Sequence, residues 1–225
     1  MIYYTGDMHG DANKILYYVS EYNLTSEDVI VILGDVGVNY FGNDNGDKKR
    51  KKTLNKCNVP ILCIHGNHEM RPESISSYKE ILWHGGTVYN LLFAKDGEIY
   101  DLDGKKAIAI GGAYSVDKFY RLSKGMKWFA DEQPSEETKM CVIDNLDAVN
   151  WNIDIVLTHT CPTKYIPTET FLPMIDQSTV DNSTEYWLDT IEDRLTYQKW
   201  YCGHWHIDKK IDKIRFIMDD LEGQI

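Results

Sequence analysis

Long apolar runs are missing from this chain of 225 residues: no stretch of about 18 or more apolar residues occurs, and no basic segment followed by an apolar one and a small-residue cleavage site opens it. That absence speaks against a membrane span or an export signal, and a soluble, cytoplasmic protein is the expectation. Cysteine is sparse and unpatterned. Cys57, Cys63, Cys141, Cys161 and Cys202 are odd in number, dispersed and never spaced C-x-x-C, which argues against a disulfide framework. Positive charge is in deficit, with 24 basic residues against 35 acidic ones and a formal net charge of −11. Such a surface repels a phosphate backbone unless its charge is locally reversed, so long nucleic acid is a poor substrate. Internal repeats, low-complexity tracts and Pro/Ser-rich linkers are absent as well. Nothing divides the chain, and its 43% hydrophobic content suffices for one large core in a single domain over residues 1–225.

Strand-like and helix-like segments alternate at first. Residues 2–5 read as a strand ending in a Gly6-Asp7 turn, and residues 11–22 carry Ile15, Leu16, Val19 and Tyr22 at helical spacing. Residues 29–33 form a second strand, 37–46 a Gly/Asn/Asp-rich loop, and the basic run 47–56 an exposed helix. A third strand follows at 59–64 and a short helix at 72–82. After Gly85-Gly86 the pattern becomes short alternating segments, 88–93, 98–102 and 106–110, separated by Asp96-Gly97 and Asp103-Gly104, which predict antiparallel strands. Ser135 reads as the opening of a capping box for a helix to about residue 146, with Met140, Ile143 and Leu146 on one face. Strands return at 154–158, 200–202 and 214–218, with a helix from about 184 to 195 between the first two. The block Lys48-Lys49-Arg50-Lys51-Lys52 and the acidic tail 219–222 read as solvated surface.

Polar blocks follow several of the strands. They are Asp7-Met8-His9, Gly34-Asp35, Gly66-Asn67-His68-Glu69, Thr158-His159 and Gly203-His204-Trp205-His206. Each of the first four leaves the C-terminal end of an apolar run, the edge of an α/β sheet where ligands gather. The chain has seven histidines, and His9, His68, His159, His204 and His206 all fall in these blocks. His65 and His84 have no such partner and read as ordinary histidines. Asp7 and His9 are two apart, so an extended segment sends both side chains to one side, where they can meet one ion; His204 and His206 repeat that spacing. Two Asp, one Asn and several imidazoles suit Mn, Fe, Zn, Ni or Co better than Ca or Mg. Asp35 is the natural bridge between two such ions, which activate a shared water as hydroxide for in-line displacement at phosphorus. Asn67 is a neutral oxygen ligand, and His68 stands where a general acid is wanted for the leaving group. Cys161 and Cys202, near His159 and His204, read as small buried hydrophobes rather than thiolate ligands.

Quoted as Gly6-Asp7-Met8-His9-Gly10, Gly34-Asp35, Gly66-Asn67-His68-Glu69, Thr158-His159 and Gly203-His204-Trp205-His206, these blocks resemble the calcineurin-like metallophosphoesterase superfamily, from the first strand to about residue 207. The resemblance implies a four-layer α/β/β/α sandwich of two mixed β-sheets. It implies two divalent transition-metal ions, manganese foremost, with Asp7, His9, Asp35 and His206 on the first and Asp35, Asn67, His159 and His204 on the second. It makes His68 the catalytic histidine, acting with Asp35 on phosphomonoesters or phosphodiesters of small molecules or phosphopeptides. The segment 111–118 with Arg121, Trp128 and 132–135 is similar to one found in a poorly characterised bacterial branch, which suggests Lys118 and Arg121 as contacts for substrate phosphate. Serine/threonine protein phosphatases of the superfamily carry Asp and a phosphate-binding Arg where this chain has Val38 and Asn39, and an Arg where it has His65. Asn39 is thus the substrate-contact candidate at that place, and the chain departs from the protein-phosphatase subtype. The rival readings are a protein-phosphatase-like enzyme and a catalytically silent metal-binding sensor.

Overall fold

A computed structural model describes residues 1–42, 45–89 and 92–224. Parts of the expected loop at 37–46 and of the expected strand at 88–93 lie outside the described residues. Strands β1 (Ile2–Thr5), β2 (Val29–Ile32) and β3 (Ile61–Cys63) come from the apolar runs and pair in parallel. Every residue of β2 is buried, as expected for a strand covered on both faces. The period-two alternation of side chains explains how. Val29 and Val31 enter a cluster with Leu157 and Tyr201 of a second sheet. Ile30 and Ile32 point the other way, against Ile15 and Tyr18 of helix α1 (Ala12–Glu21) and Leu54 of helix α2 (Asn45–Leu54).

Strands β4 (Glu80–Trp83), β5 (Gly86–Tyr89) and β6 (Phe93–Ala94) extend this sheet. With β7 (Ile99–Leu102), β8 (Lys105–Ile110), β9 (Ile155–Thr158), β10 (Lys199–Cys202), β11 (Lys209–Ile211), β12 (Ile214–Phe216) and β13 (Glu222–Gly223), the strands form two mixed sheets. The seven-stranded sheet has the order β13-β1-β2-β3-β6-β5-β4 and the six-stranded sheet the order β11-β12-β10-β9-β8-β7. Helix α3 (Lys118–Ser123) follows β8, and on the outer face of the second sheet Val142 and Leu146 of helix α4 (Glu136–Ala148) and Leu188 and Ile191 of helix α5 (Ser183–Glu192) pack on Val156, Trp200 and Phe216. The order of layers is therefore helix, sheet, sheet, helix, the α/β sandwich expected. Trp200 is fully buried and its indole N–H donates to Thr158 Oγ1 at 2.7 Å, so its one polar atom is satisfied.

Some local expectations need correction. Residues 72–82 do not form a helix: a 3₁₀ turn spans Pro72–Ser74, and β4 pairs antiparallel with β5 from Glu80↔Tyr89 to Trp83↔Gly86. His84 and Gly85 take left-handed φ of 48° and 84°, the geometry of a tight hairpin turn, and pairing with β5 replaces the expected helix. Leu16, Tyr22 and Met140 are exposed rather than on the buried faces of their helices. Ser135 does cap α4, accepting from Thr138 N at 3.1 Å, but its partner three residues on is a threonine, so the return bond of a capping box is missing. The basic run is helical, yet Arg50 donates to Gly37 O at 3.2 Å and Lys51 Nζ lies 4.7 Å from the Tyr78 ring centroid, so neither is merely solvated. Among the described residues no helix is long and apolar enough to cross a membrane.

Candidate metal centre

The loops after β1, β2, β3, β9 and β10 converge at one end of the sandwich, and the backbone there is bent to aim side chains inward. His9, Asp35, His204 and His206 hold left-handed φ of 47°, 46°, 64° and 49°. Such conformations are costly for non-glycine residues and persist where surrounding bonds enforce them. Here the amides of Met8 and His9 donate to Asp35 O at 3.2 and 2.7 Å, His204 N to Asp7 Oδ1 at 3.0 Å and His68 N to Asp35 Oδ1 at 2.8 Å. The glycines of the motifs make room for this crowding. A Cβ on Gly66 would stand 2.1 Å from Asp35 Oδ1, and one on Gly203 2.3 Å from Asp7 Oδ1.

Two sets of donor atoms result. In the first, Asp7 Oδ2 lies 3.1 Å from His206 Nε2 and 3.7 Å from His9 Nε2, and the two imidazole nitrogens are 3.0 Å apart. In the second, Asn67 Oδ1 lies 2.8 Å from His159 Nε2 and 3.1 Å from His204 Nδ1. Asp35 stands between them, with Oδ2 3.7 Å from His9 Nδ1 and Oδ1 3.7 Å from His159 Nε2. Triads Asp7/His9/His206 and Asp7/Asp35/His159 each gather their ligand atoms within 4.8 Å.

The chemistry of the second set fits a cation. His159 Nδ1 is 2.8 Å from Leu33 O, a group that only accepts, so Nδ1 carries the ring proton. In a neutral ring Nε2 then holds a lone pair, and it faces the oxygen of Asn67. Two acceptors face each other at hydrogen-bond distance, an arrangement that a positive ion between them relieves. The orientation of Asn67 is fixed from behind: its Nδ2 donates to Ser115 Oγ at 2.8 Å, and Ser115 Oγ donates to Glu132 Oε2 at 2.6 Å.

Titration behaviour follows the same crowding. Burial pushes the Asp7 carboxyl up, but the hydrogen bond with His206 and the imidazoles of His159 and His9 bring it below the ordinary carboxylate range. Burial and then His159 hold His204 well below the usual histidine value. His68 is also lowered, first by burial, with Asp35 opposing and Arg121 assisting. Glu69 is fully buried and accepts from the amides of Val36, Gly37 and Gly66 at 3.3, 3.1 and 3.2 Å, tying the loops after β2 and β3 together. Burial and the charge of Asp35 raise its pKa to about 8.

The structure thus brings Asp7, His9, Asp35, Asn67, His159, His204 and His206 together, with His68 beside them, its Nε2 3.9 Å from Asp35 Oδ2. Arg121 joins the rim: its Nη2 is 3.3 Å from His68 Nε2, and its Nε pairs with Asp117. Two other expected substrate contacts are not offered to the site. Asn39 is fully buried with Oδ1 accepting from Tyr78 O–H at 2.8 Å. Lys118 places Nζ 4.0 Å from the Trp128 ring centroid, where a cation–π contact holds it. His65 is buried and bonded to Glu69 O, and His84 is exposed near Asp101 O. Cys161 and Cys202 are buried thiols, pushed up by burial. Sequence reading missed Ser115, Glu132 and the clamp made by Glu69. Glu69 lay within a metal-site motif, and Ser115 and Glu132 within the segments 111–118 and 132–135, but none had been given this role.

A two-sheet α/β sandwich with an Asp/Asn/His cluster at one end of its parallel strands defines a protein built around a metal site. The model of the calcineurin-like phosphoesterase family matches residues 1–208, and the chain belongs to that family. The crystal structure of TT1561 of Thermus thermophilus aligns over 90% of this chain and 80% of that one, at 11% identity and a TM-score of 0.51, a likeness of fold alone. The protein of unknown function AQ665 from Aquifex aeolicus aligns over 71% of this chain and 80% of its own, at 16% identity, but its TM-score of 0.30 carries no weight. No curated protein sequence matches the chain.

Proposed function

We propose that the chain is a dinuclear-metal-dependent phosphoesterase acting on phosphomonoesters or phosphodiesters. The position of Asp35 carries the reading, because its two oxygens face different donor sets, each at 3.7 Å from the nearest imidazole nitrogen. Asp7, His9, Asp35 and His206 would hold one ion, and Asp35, Asn67, His159 and His204 the other. Manganese is the first choice, and iron, zinc, nickel and cobalt suit the same donors. A bound pair of divalent ions supplies Lewis acidity toward phosphoryl oxygens and a water of lowered pKa as nucleophile.

The remaining work falls to side chains of this protein. Arg121, oriented by its bonds to Asp117 at 2.7 and 2.8 Å, presents Nη2 toward the site and would hold a phosphoryl oxygen. His68 Nε2 accepts from Arg121 in this structure; once Arg121 turns to the phosphoryl group, Nε2 would be free to take up a proton from solvent and pass it to the leaving oxygen. Leu33 O, by fixing the proton on Nδ1, keeps His159 Nε2 available as a donor atom.

Elemental analysis of the purified protein, followed by assays of the manganese-loaded form on p-nitrophenyl phosphate, bis-p-nitrophenyl phosphate, cyclic nucleotides and phosphopeptides, tests this reading. Ion-dependent turnover of at least one mono- or diester is expected. A protein that binds two ions and turns over nothing on that panel would be a metal-binding sensor instead.

A further inference from the structure

A cavity of about 430 Å³ opens above the donor cluster. Its floor is Asp35, Asn67, His68 and His204, and its opposite wall is Phe171, Leu172, Ile175, Val180 and Trp205. Apart from Trp205, this wall comes from the segment between β9 and α5, which runs through 3₁₀ turns at Thr168–Thr170 and Gln177–Thr179. Phe171 and Trp205 lie with ring centroids 6.3 Å apart and planes tilted by 35°, so two broad apolar surfaces face inward together. Leu172 is exposed and Met174, at 90% relative exposure, still more so. Apolar side chains left to water beside a polar, charge-bearing floor mark a surface waiting for an apolar ligand.

The charge of the cavity narrows the ligand further. Among the described residues neither lysine nor arginine lines it, and the acids that do are Asp35 and Asp117. Arg121 stands just behind His68 and is partly engaged by Asp117. One phosphoryl group can be neutralised at the floor, but a second or third would meet no cation along the wall and would face Asp117 instead. A phosphopeptide would need its flanking polar backbone satisfied on the same wall, where Thr170, Gln177 and Asn182 are the polar side chains.

We infer that this wall selects phosphoesters carrying a single phosphoryl group on a flat, uncharged, apolar alcohol about the size of one or two fused rings. The inference rests on the phosphoesterase reading and deepens it. Hydrolysis of such an ester releases the alcohol and inorganic phosphate. The wall acts on binding of the organic group and not on the bond that breaks.

Phenyl phosphate and 2-naphthyl phosphate test the wall, since both release a phenol of similar acidity and differ mainly in apolar area. For the manganese-loaded protein, a KM about tenfold lower for the naphthyl ester is expected with little change in kcat. The double variant Leu172→Ser, Ile175→Ser should lose most of that advantage, while Met140→Ser, on the far surface of α4, should keep it. A non-hydrolysable naphthylmethyl phosphonate provides a readout independent of turnover: it should quench tryptophan fluorescence saturably, and the double variant should need about tenfold more of it. Equal KM values for the two esters with normal hydrolysis would overturn the wall and spare the phosphoesterase reading. Saturable phosphonate binding without hydrolysis of any ester would do the reverse. Faster turnover of a phosphopeptide than of the naphthyl ester, or dimerisation abolished in the double variant with KM unchanged, would each assign the wall to another occupant and overturn the inference.

Discussion

The two halves of the candidate metal centre differ in how much the fold has settled before any ion arrives. Around Asn67 and His159 the side chains are buried and held from behind: Leu33 O fixes one ring, and Ser115 with Glu132 fixes the amide. Around His9 and His206 the side chains are 39% and 55% exposed, and their rings touch chiefly each other and Asp7. Ordering the closed half was accomplished in folding. The open half still has side-chain freedom to lose when an ion binds. On the proposed reading, in which two sites share one carboxylate, the two are unequal, and the closed half should bind its ion more tightly.

Removing the shared residue should have the largest effect. Asp35→Asn is expected to abolish ester hydrolysis and to cost at least one of two bound ions, with far-UV circular dichroism unchanged; retention of both ions and of activity would leave the two halves with nothing in common. His68 approaches the oxygen of Asp35 that faces the open half, and its loss tests that side. His68→Ala should slow alkyl phosphates by about 10²- to 10⁴-fold but p-nitrophenyl phosphate far less, because a good leaving group needs little protonation. Equal losses on both esters would remove the proton-donor role.

Ser115→Ala and Glu132→Gln separate the halves without touching a ligand. Each should weaken one ion, that of the closed half, by about 10- to 100-fold and leave the other unchanged, measured by calorimetric titration with manganese. The smallest effect concerns stability. Glu185 is buried behind His159, where Thr160 Oγ1 donates to its Oε1 at 2.8 Å, and burial raises its pKa from 4.5 to about 7. The unfolded chain therefore releases this proton from about pH 4.5 but the fold only near pH 7, so stability falls across that window by at most about 3 kcal/mol and stays lower above it. Glu185→Gln should flatten that decline. The check is the metal-free Tm at pH 5 and pH 8, where wild type should lose several degrees more than the variant.

Much of the candidate site was legible because four of its five blocks follow an apolar run that reads as a buried strand, as Val29 to Ile32 precedes Gly34-Asp35. The glycines were legible as motif letters, but the reason for them appears only when Gly66 is seen against Asp35. Ser115 and Glu132 fell inside the segments 111–118 and 132–135, but their part did not show: Ser115 meets Asn67 across 48 residues of sequence and Glu132 meets Ser115 across 17, contacts that no local periodicity encodes. Residues 80–83 misled for a related reason. The expected helix ran to residue 82, but hydrogen bonds to Gly86–Tyr89 decided the conformation. Lys118 and Asn39 show the limit of motif position as a guide: a cation–π contact with Trp128 holds the one and a hydrogen bond from Tyr78 the other.

Anomalous scattering from crystals grown with manganese puts the paired site to the test without any assay. Two peaks are predicted per chain, one among Asp7, His9 and His206 and one among Asn67, His159 and His204, with Asp35 touching both and the second peak the fuller at limiting metal. A single peak, or none within reach of Asp35, would refute the shared carboxylate.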